Sequence, residues 1–218
     1  MVIAIDGPGG VGKSTVSKAV AEALGLAYLD TGSTYRAATV ITLDEQVDTG
    51  DEAGILDALS RHSIDYDECG IVLDGRPIAD RARSEEVTGA VSAVSAHPQV
   101  RQAIVELQRA WVAQHGGRAV VEGRDIGTVV FPQAPVKVFL TARPEVRASR
   151  RAGDAEAAHQ TMTQIQEALT ARDTADASRA SSPMQAADDA VVIDTSDLGI
   201  DAVVERITDL AASAGRPI

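Results

Sequence analysis

The stretch Val2–Ser14, VIAIDGPGGVGKS, decides the fold. Val2 to Ile5 is a short apolar, β-branched run that ends at Asp6 and a cluster of glycines, the pattern of a buried strand feeding a loop. Gly7 to Ser14, GPGGVGKS, fits G-x-x-x-x-G-K-[ST] at every required position. From Lys13 to Leu24 the apolar positions Val16, Ala19, Val20, Ala23 and Leu24 follow helical spacing, and Gly25 stops the helix. A strand before the motif and an amphipathic helix after it are the context a phosphate-binding loop needs. Glycines let the backbone turn and bring successive N–H groups around phosphate oxygens, and the helix points its positive end at the same anion. On this reading Gly7, Pro8, Gly9, Gly10, Val11, Gly12, Lys13, Ser14 and Thr15 hold the nucleoside triphosphate. Lys13 reaches the β- and γ-phosphates, and the Ser14 hydroxyl ligates Mg²⁺. The motif establishes a nucleoside triphosphate site and leaves the phosphoryl acceptor open.

Across the whole chain, 218 residues suit one domain of moderate size with room for a small insertion. Hydrophobic residues at 44% and charged residues at 24% exclude wholesale disorder, and aromatics at only 3% require an aliphatic core. The net charge of −12 argues against nucleic acid or an anionic membrane as partner, so any basic site must be concentrated. One cysteine, Cys69, excludes an internal disulfide and fits a reducing compartment. The opening apolar run is too short for a signal peptide and no later run approaches membrane-spanning length, so a cytoplasmic location is expected. Nothing presents an obvious pairing surface, and a monomer is expected. Only three of the twenty basic residues are lysines, so Lys13 stands out inside its motif.

Four further apolar runs read as strands: Ala27–Leu29, Ala119–Val121, Val136–Leu140 and Val191–Ile193. They alternate with amphipathic segments, including Tyr35–Leu43, Val87–Val94, Val100–Trp111 (with Ile104, Leu107 and Trp111 as an apolar stripe), a helix from Pro144, one through Ile165 and Leu169, and one through Val203–Leu210. Short apolar strands alternating with helices predict an α/β fold, an open parallel five-stranded sheet with helices on both faces and ligands at the carboxyl ends of the strands. Residues of about 50–82 differ in character. Asp74-Gly75 between apolar runs signals a hairpin, and the segment reads as a small antiparallel insertion. Arg151 to Thr161 is small, polar and Gly-containing, the composition of a mobile loop.

A guanine-specific switch would carry an N-K-x-D string, which is absent, and the chain is short for a motor. A kinase acting on an anionic acceptor needs arginines to hold the second phosphate and neutralise the one in transit. Arg36 and Arg124 each follow an apolar strand on the edge of the sheet where ligands bind, Arg172 and Arg179 bracket RDTADASR, and Arg147, Arg150 and Arg151 flank the loop. The histidines His62, His97, His115 and His159 lack metal-ligand spacing, and Asp65, Asp67 and Glu68 read as solvated surface. Asp194 closes a VVID run as a metal-assisting acid would, but its place at the last strand argues against that role.

The strings GPGGVGKST, LDTGSTYR, VVEGRDIGTVVFPQAPVKVFL and RDTADASR, in this order, resemble the bacterial cytidylate kinase family of nucleoside monophosphate kinases, over Ile3 to Thr195. The third string is the family-specific one. The resemblance implies a P-loop kinase fold over residues 1–218 as a single domain, with a monophosphate-binding insertion at about 50–95 (its hairpin at about 63–82) and a lid at about 147–161. It implies that the triphosphate held by Gly7 to Thr15 is ATP, whose γ-phosphoryl group passes to CMP or dCMP with Mg²⁺. Of the residues it carries over, Thr31 and Arg36 lie near the acceptor nucleotide, Arg36 and Arg124 contact its phosphate, and Asp125 supports the pocket. Ser92 and Arg109 read the cytosine, Asp176 and Arg179 meet the sugar and base, and Arg83 lies near the acceptor phosphate. Arg147, Arg150 and Arg151 match lid arginines. Lys13, Arg124, Arg147 and Arg151 form the catalytic set. The chain departs from the family at Ser33 and Thr34, where Ala and Met or Ile are common, and at Gln133, where an acid is frequent.

Overall fold

The computed structural model describes residues 1–67, 70–153, 161–179 and 181–214. In chain order the elements are β1 (Val2–Asp6), α1 (Lys13–Leu24), β2 (Ala27–Asp30), α2 (Thr31–Asp44), α3 (Glu52–Ser60), β3 (Ile64–Asp67), β4 (Gly70–Leu73) and β5 (Arg76–Pro77). Then come α4 (Ala79–Ala82), α5 (Glu85–Val94), α6 (Pro98–Gln114), β6 (Ala119–Gly123), a π-type turn at Ile126–Val130 and β7 (Val136–Thr141). The last are α7 (Pro144–Ala152), α8 (Met162–Ala177), β8 (Val191–Asp194) and α9 (Ile200–Ala214). The chain separates into two compact units, Met1–Asp30 with Val112–Ile218, and Thr31–Trp111.

The first unit is built on a parallel sheet in the order β2-β6-β1-β7-β8, and its five strands are the five apolar runs of the sequence. Strand β1 is central, with Ile3, Ala4 and Ile5 fully buried, and helices flank the sheet. Val16 and Val20 of α1 and Val203 and Ile207 of α9 join Ile3, Ile5, Val138 and Leu140 in one core cluster. Burying each such side chain is worth about 1.5–3 kcal/mol, which fixes the register of β1 and so the place of the loop that leaves it.

In the second unit, β3, β4 and β5 form an antiparallel sheet. Asp74 (φ +50°) and Gly75 (φ +74°) are both left-handed, as a tight hairpin turn requires. Ile71, Ile64, Tyr66 and Ile78 pack on Ala37 of α2 and Ala82. The His62 ring bridges Asp74 Oδ2 and Glu45 Oε1 at 2.6 Å each, and both carboxylates raise its pKa.

Three expectations need correction. The segment from residue 50 is not all antiparallel: Glu52–Ser60 is helical, capped by Asp51, whose carboxylate accepts from Gly54 N, and anchored by buried Ile55 and Ala58. Helix α2 begins at Thr31 rather than Tyr35. Leu107 is 43% exposed, because the buried face of α6 runs through Val100, Arg101, Ile104, Val105, Gln108 and Val112. Trp111 instead meets the Tyr66 ring edge-on at 5.7 Å. Glu68, Cys69, His159 and residues 154–160 of the expected lid lie outside the described residues.

Candidate active site

The loop after β1 passes through left-handed conformations at Gly7 (φ +146°), Gly10 (φ +77°) and Gly12 (φ +93°). A Cβ on Gly7 would fall 2.2 Å from the Leu140 carbonyl oxygen, and one on Gly10 2.8 Å from that of Arg147. Backbone geometry and close approach both demand glycine there. Helix α1 starts without a side-chain cap and without an acid in its first turn, which leaves its first N–H groups and its positive end available to an anion. Ser14 and Thr15 are exposed. The Lys13 ammonium donates to Pro8 O at 2.8 Å. Burial, and after it the charge of Arg124, push its pKa down. Phosphate oxygens would reverse that shift.

Beside the loop stands an acid that sequence reasoning missed. Glu122, the penultimate residue of β6, pairs with Ile5 and is 3% exposed. Its Oε1 accepts from Ser14 Oγ at 2.7 Å and from Tyr28 Oη at 2.9 Å. Burial pushes its pKa up, and Asp30 adds to the rise. The signal was present: Glu122 ends an apolar run that pairs with the strand feeding the loop. Asp194 instead accepts from Ser196 N at 2.8 Å and is exposed. Ser14 and Glu122 are hard oxygen donors, and Mg²⁺ commonly takes only one or two protein ligands beside water and phosphate oxygens. The donor set therefore fits that ion.

Asp6 fixes the turn beyond β6. Its two carboxylate oxygens accept from Ile126 N and Gly127 N at 2.8 Å each, and burial raises its pKa to about 6. These bonds pin the π-type turn directly after Arg124 and the buried Asp125.

Arg124, Arg147, Asp173, Asp176 and Arg179 form one charged network. Arg124 donates to Gly7 O at 2.7 Å, pairs through Nε with Asp176 at 3.0 Å and lies 3.6 Å from Asp173. The other oxygen of Asp176, a residue only 2% exposed, takes Arg179. Arg147 Nε donates to Gly9 O at 2.6 Å and its guanidinium pairs with Asp173, whose Oδ1 accepts from Gly9 N at 3.2 Å. The tip of the phosphate loop is thus held from α7 and α8 together. Arg150 is structural, bonding Val11 O, Thr195 Oγ1 and Thr195 O. Arg151 is half-buried at the end of α7.

The sequence marks Arg172 only as a bracket of its motif, and the structure gives it more weight. It is half-buried, depresses the pKa of both Lys13 and Arg124 by its charge, and makes no hydrogen bond or ion pair among the described residues. Three cations close together repel one another, and an anion among them would relieve that repulsion.

In the second unit Thr31 is buried at the start of α2. Two of the three departures from the family pattern find partners: Ser33 Oγ donates to Tyr66 Oη at 3.0 Å and Thr34 Oγ1 shares a 2.5 Å hydrogen bond with it. Arg36 Nη1 donates to Ala82 O and Thr88 Oγ1 at 2.9 Å each. Ser92, Arg83 and Arg109 are exposed. On α6 it is Arg101, not singled out from the sequence, that is buried; it donates to Ser95 O at 3.2 Å and lies 5.1 Å from the Tyr35 ring centre. Arg101 is thus held on an aromatic face inside the unit, whereas Arg109 of the same helix is exposed.

The family model described as cytidylate kinase matches residues 3–213. A cytidylate kinase of Streptomyces avermitilis (strain MA-4680) is 48% identical over 214 residues, covering 96% of this chain and 92% of the relative. One from Mycobacterium leprae (strain Br4923) is 44% identical over 216 residues, covering 96% and 95%. Among solved structures, an uncharacterised protein from Eubacterium ventriosum aligns at TM-score 0.53 and 12% identity over 98% of both chains. TT1252 from Thermus thermophilus aligns at 0.51 and 19% identity over 100% of this chain and 98% of its own. These two likenesses speak to the fold alone. The sequence relatives and the match along nearly the whole length speak to descent, and the chain belongs to the cytidylate kinase family.

Proposed function

We propose that this chain transfers the γ-phosphoryl group of ATP to CMP or dCMP, giving ADP and CDP or dCDP. The observation that carries the reading is the charged network on Gly7 and Gly9: acceptor-type arginines and acids sit directly on the donor's phosphate loop. Family membership supports the cytosine acceptor.

Transfer passes through a loose, metaphosphate-like species, so positioning and charge neutralisation do most of the work. The attacking group is an anionic phosphate oxygen, which needs no general base. Backbone N–H groups from Gly10 to Thr15 cradle the ATP phosphates, and Lys13 leaves Pro8 O to meet them. Ser14 and Glu122 would hold Mg²⁺, which when bound would supply charge neutralisation at the phosphate oxygens. Arg124, Arg147, Arg151 and Arg172 balance the charge that develops in transit. For acceptor recognition we assign Arg124, Asp125, Asp176 and Arg179 in the first unit. In the second we assign Thr31, Arg36, Arg83, Ser92 and Arg109, with Arg101 added on its burial. The monophosphate-binding role falls to residues of about 50–95 and the lid to about 147–161, which excludes water and limits ATP hydrolysis. The protein acts as a monomer in the cytoplasm, without nucleic acid; no described helix is long and apolar enough to cross a membrane.

A coupled assay with ATP and single nucleoside monophosphates tests the reading. Arg179→Ala is expected to raise the KM for CMP by about tenfold or more, the scale of one lost charge-assisted hydrogen bond, with the KM for ATP nearly unchanged. A selective loss of ATP binding would reassign that arginine to the donor.

A further inference from the structure

Tyr28 belongs to no part of the machinery assigned above, yet its phenol reaches it. The residue sits in β2, two positions before Asp30, which pairs in register with Glu122 of β6. Tyr28 and Asp30 therefore share a face of the sheet, and the Tyr28 side chain lies diagonally across from the Glu122 carboxylate. Its hydroxyl donates to Glu122 Oε1 at 2.9 Å, the same oxygen that takes Ser14 at 2.7 Å. Helix α1 covers the ring: Lys18, one turn after Ser14, places its Nζ 5.6 Å from the ring centre. The ring is thus held by Lys18 and the hydroxyl by Glu122, so α1 and β2 both fix one carboxylate oxygen. A carboxylate with a single hydroxyl donor can rotate about its last bond, whereas two donors converging on one oxygen leave the group one orientation.

We propose that Tyr28 is a positioning residue that locks the Glu122 carboxylate for the metal–nucleotide complex. The proposal rests on the reading of Ser14 and Glu122 as the oxygens that hold Mg²⁺, and not on the identity of the acceptor. Tyr28 touches neither nucleotide. Its contribution is orientation, so its loss falls on the metal-dependent part of nucleotide binding and spares the part made by the backbone cradle and Lys13.

The test is calorimetric titration of the non-hydrolysable ATP analogue AMPPNP, with and without Mg²⁺, into the intact protein and its Tyr28→Phe variant. Phenylalanine keeps the ring beneath Lys18 and deletes only the donor. The expected result is that the gain in AMPPNP affinity brought by Mg²⁺ shrinks by about tenfold, the order of one hydrogen bond to a charged group, while metal-free affinity stays within about twofold. In turnover the Mg²⁺ concentration for half-maximal rate rises while the KM for CMP holds. Lys18→Met, which uncovers the ring but leaves the hydroxyl, is expected to keep the Mg²⁺-dependent gain. An unchanged gain in Tyr28→Phe, equal losses with and without metal, or a parent protein whose AMPPNP affinity ignores Mg²⁺ would each overturn the proposal. A parent that binds Mg²⁺–AMPPNP but does not phosphorylate CMP would count against the acceptor assignment alone.

Discussion

Lys13→Ala is expected to lower kcat by about 10²–10³-fold, the usual cost of removing one preorganised group that meets charge developing in the transition state. Lys13 is suited to that role because, among the described residues, its ammonium makes no ion pair. Its ammonium donates to a neutral carbonyl, Pro8 O, and burial together with Arg124 holds its pKa down. Arriving phosphates supply the missing negative charge, so the lysine gains most when they are bound and most of all as they separate. The fold does not depend on it. The bond to Pro8 O is worth about 1 kcal/mol, and the loop's path is set by its glycines and by Asp173 and Arg147 at Gly9. Steady-state kinetics beside a thermal melt separate the effects. A variant with near-normal turnover, or one that is unfolded, would contradict the role.

Arg124→Ala is expected to cut kcat/KM for CMP by a comparable factor, about 10²–10³, and also to destabilise the protein. Its guanidinium holds Gly7 O and the Nε side holds Asp176. Asp176 is 2% exposed, so truncating Arg124 leaves a buried carboxylate that, among the described residues, keeps only Arg179 opposite, and the cost falls below the about 3–5 kcal/mol of a buried charge left with no partner. Arg124→Lys separates the two consequences. A lysine restores charge near Asp176 and recovers much of the stability, but a point charge cannot hold a carbonyl and a carboxylate in one planar fork, so activity recovers far less. Full recovery by lysine would reduce Arg124 to a source of charge.

Much of the fold was legible because the sheet strands are short, wholly apolar and separated by helical spacing; all five sheet runs formed strands in the expected places. The phosphate loop was legible because glycine, lysine and serine are required there by backbone geometry and charge. The features hidden from sequence reading depend on contacts distant along the chain. Glu122 looks like the tail of an apolar run until β6 is laid against β1 and Ser14 arrives from α1. Arg101 and Arg109 share α6, and only the burial of that helix distinguishes the guanidinium over Tyr35 from the exposed one. Ser33 and Thr34 read as departures until the hairpin delivers Tyr66 to both hydroxyls. The helix at Glu52–Ser60 is hard to read because its buried positions are few, Ile55 and Ala58, and a glycine at its third position weakens the helical signal.

The most direct measurement is turnover with ATP and Mg²⁺ against a panel of acceptors: CMP, dCMP, UMP, AMP and shikimate. Cytosine differs from uracil at groups that a hydrogen-bonding pocket cannot satisfy in both, and adenine and shikimate differ in shape as well. The predicted result is that kcat/KM for CMP or dCMP exceeds that for AMP and shikimate by about 10²-fold or more. Equal or faster turnover of AMP or shikimate would contradict the account.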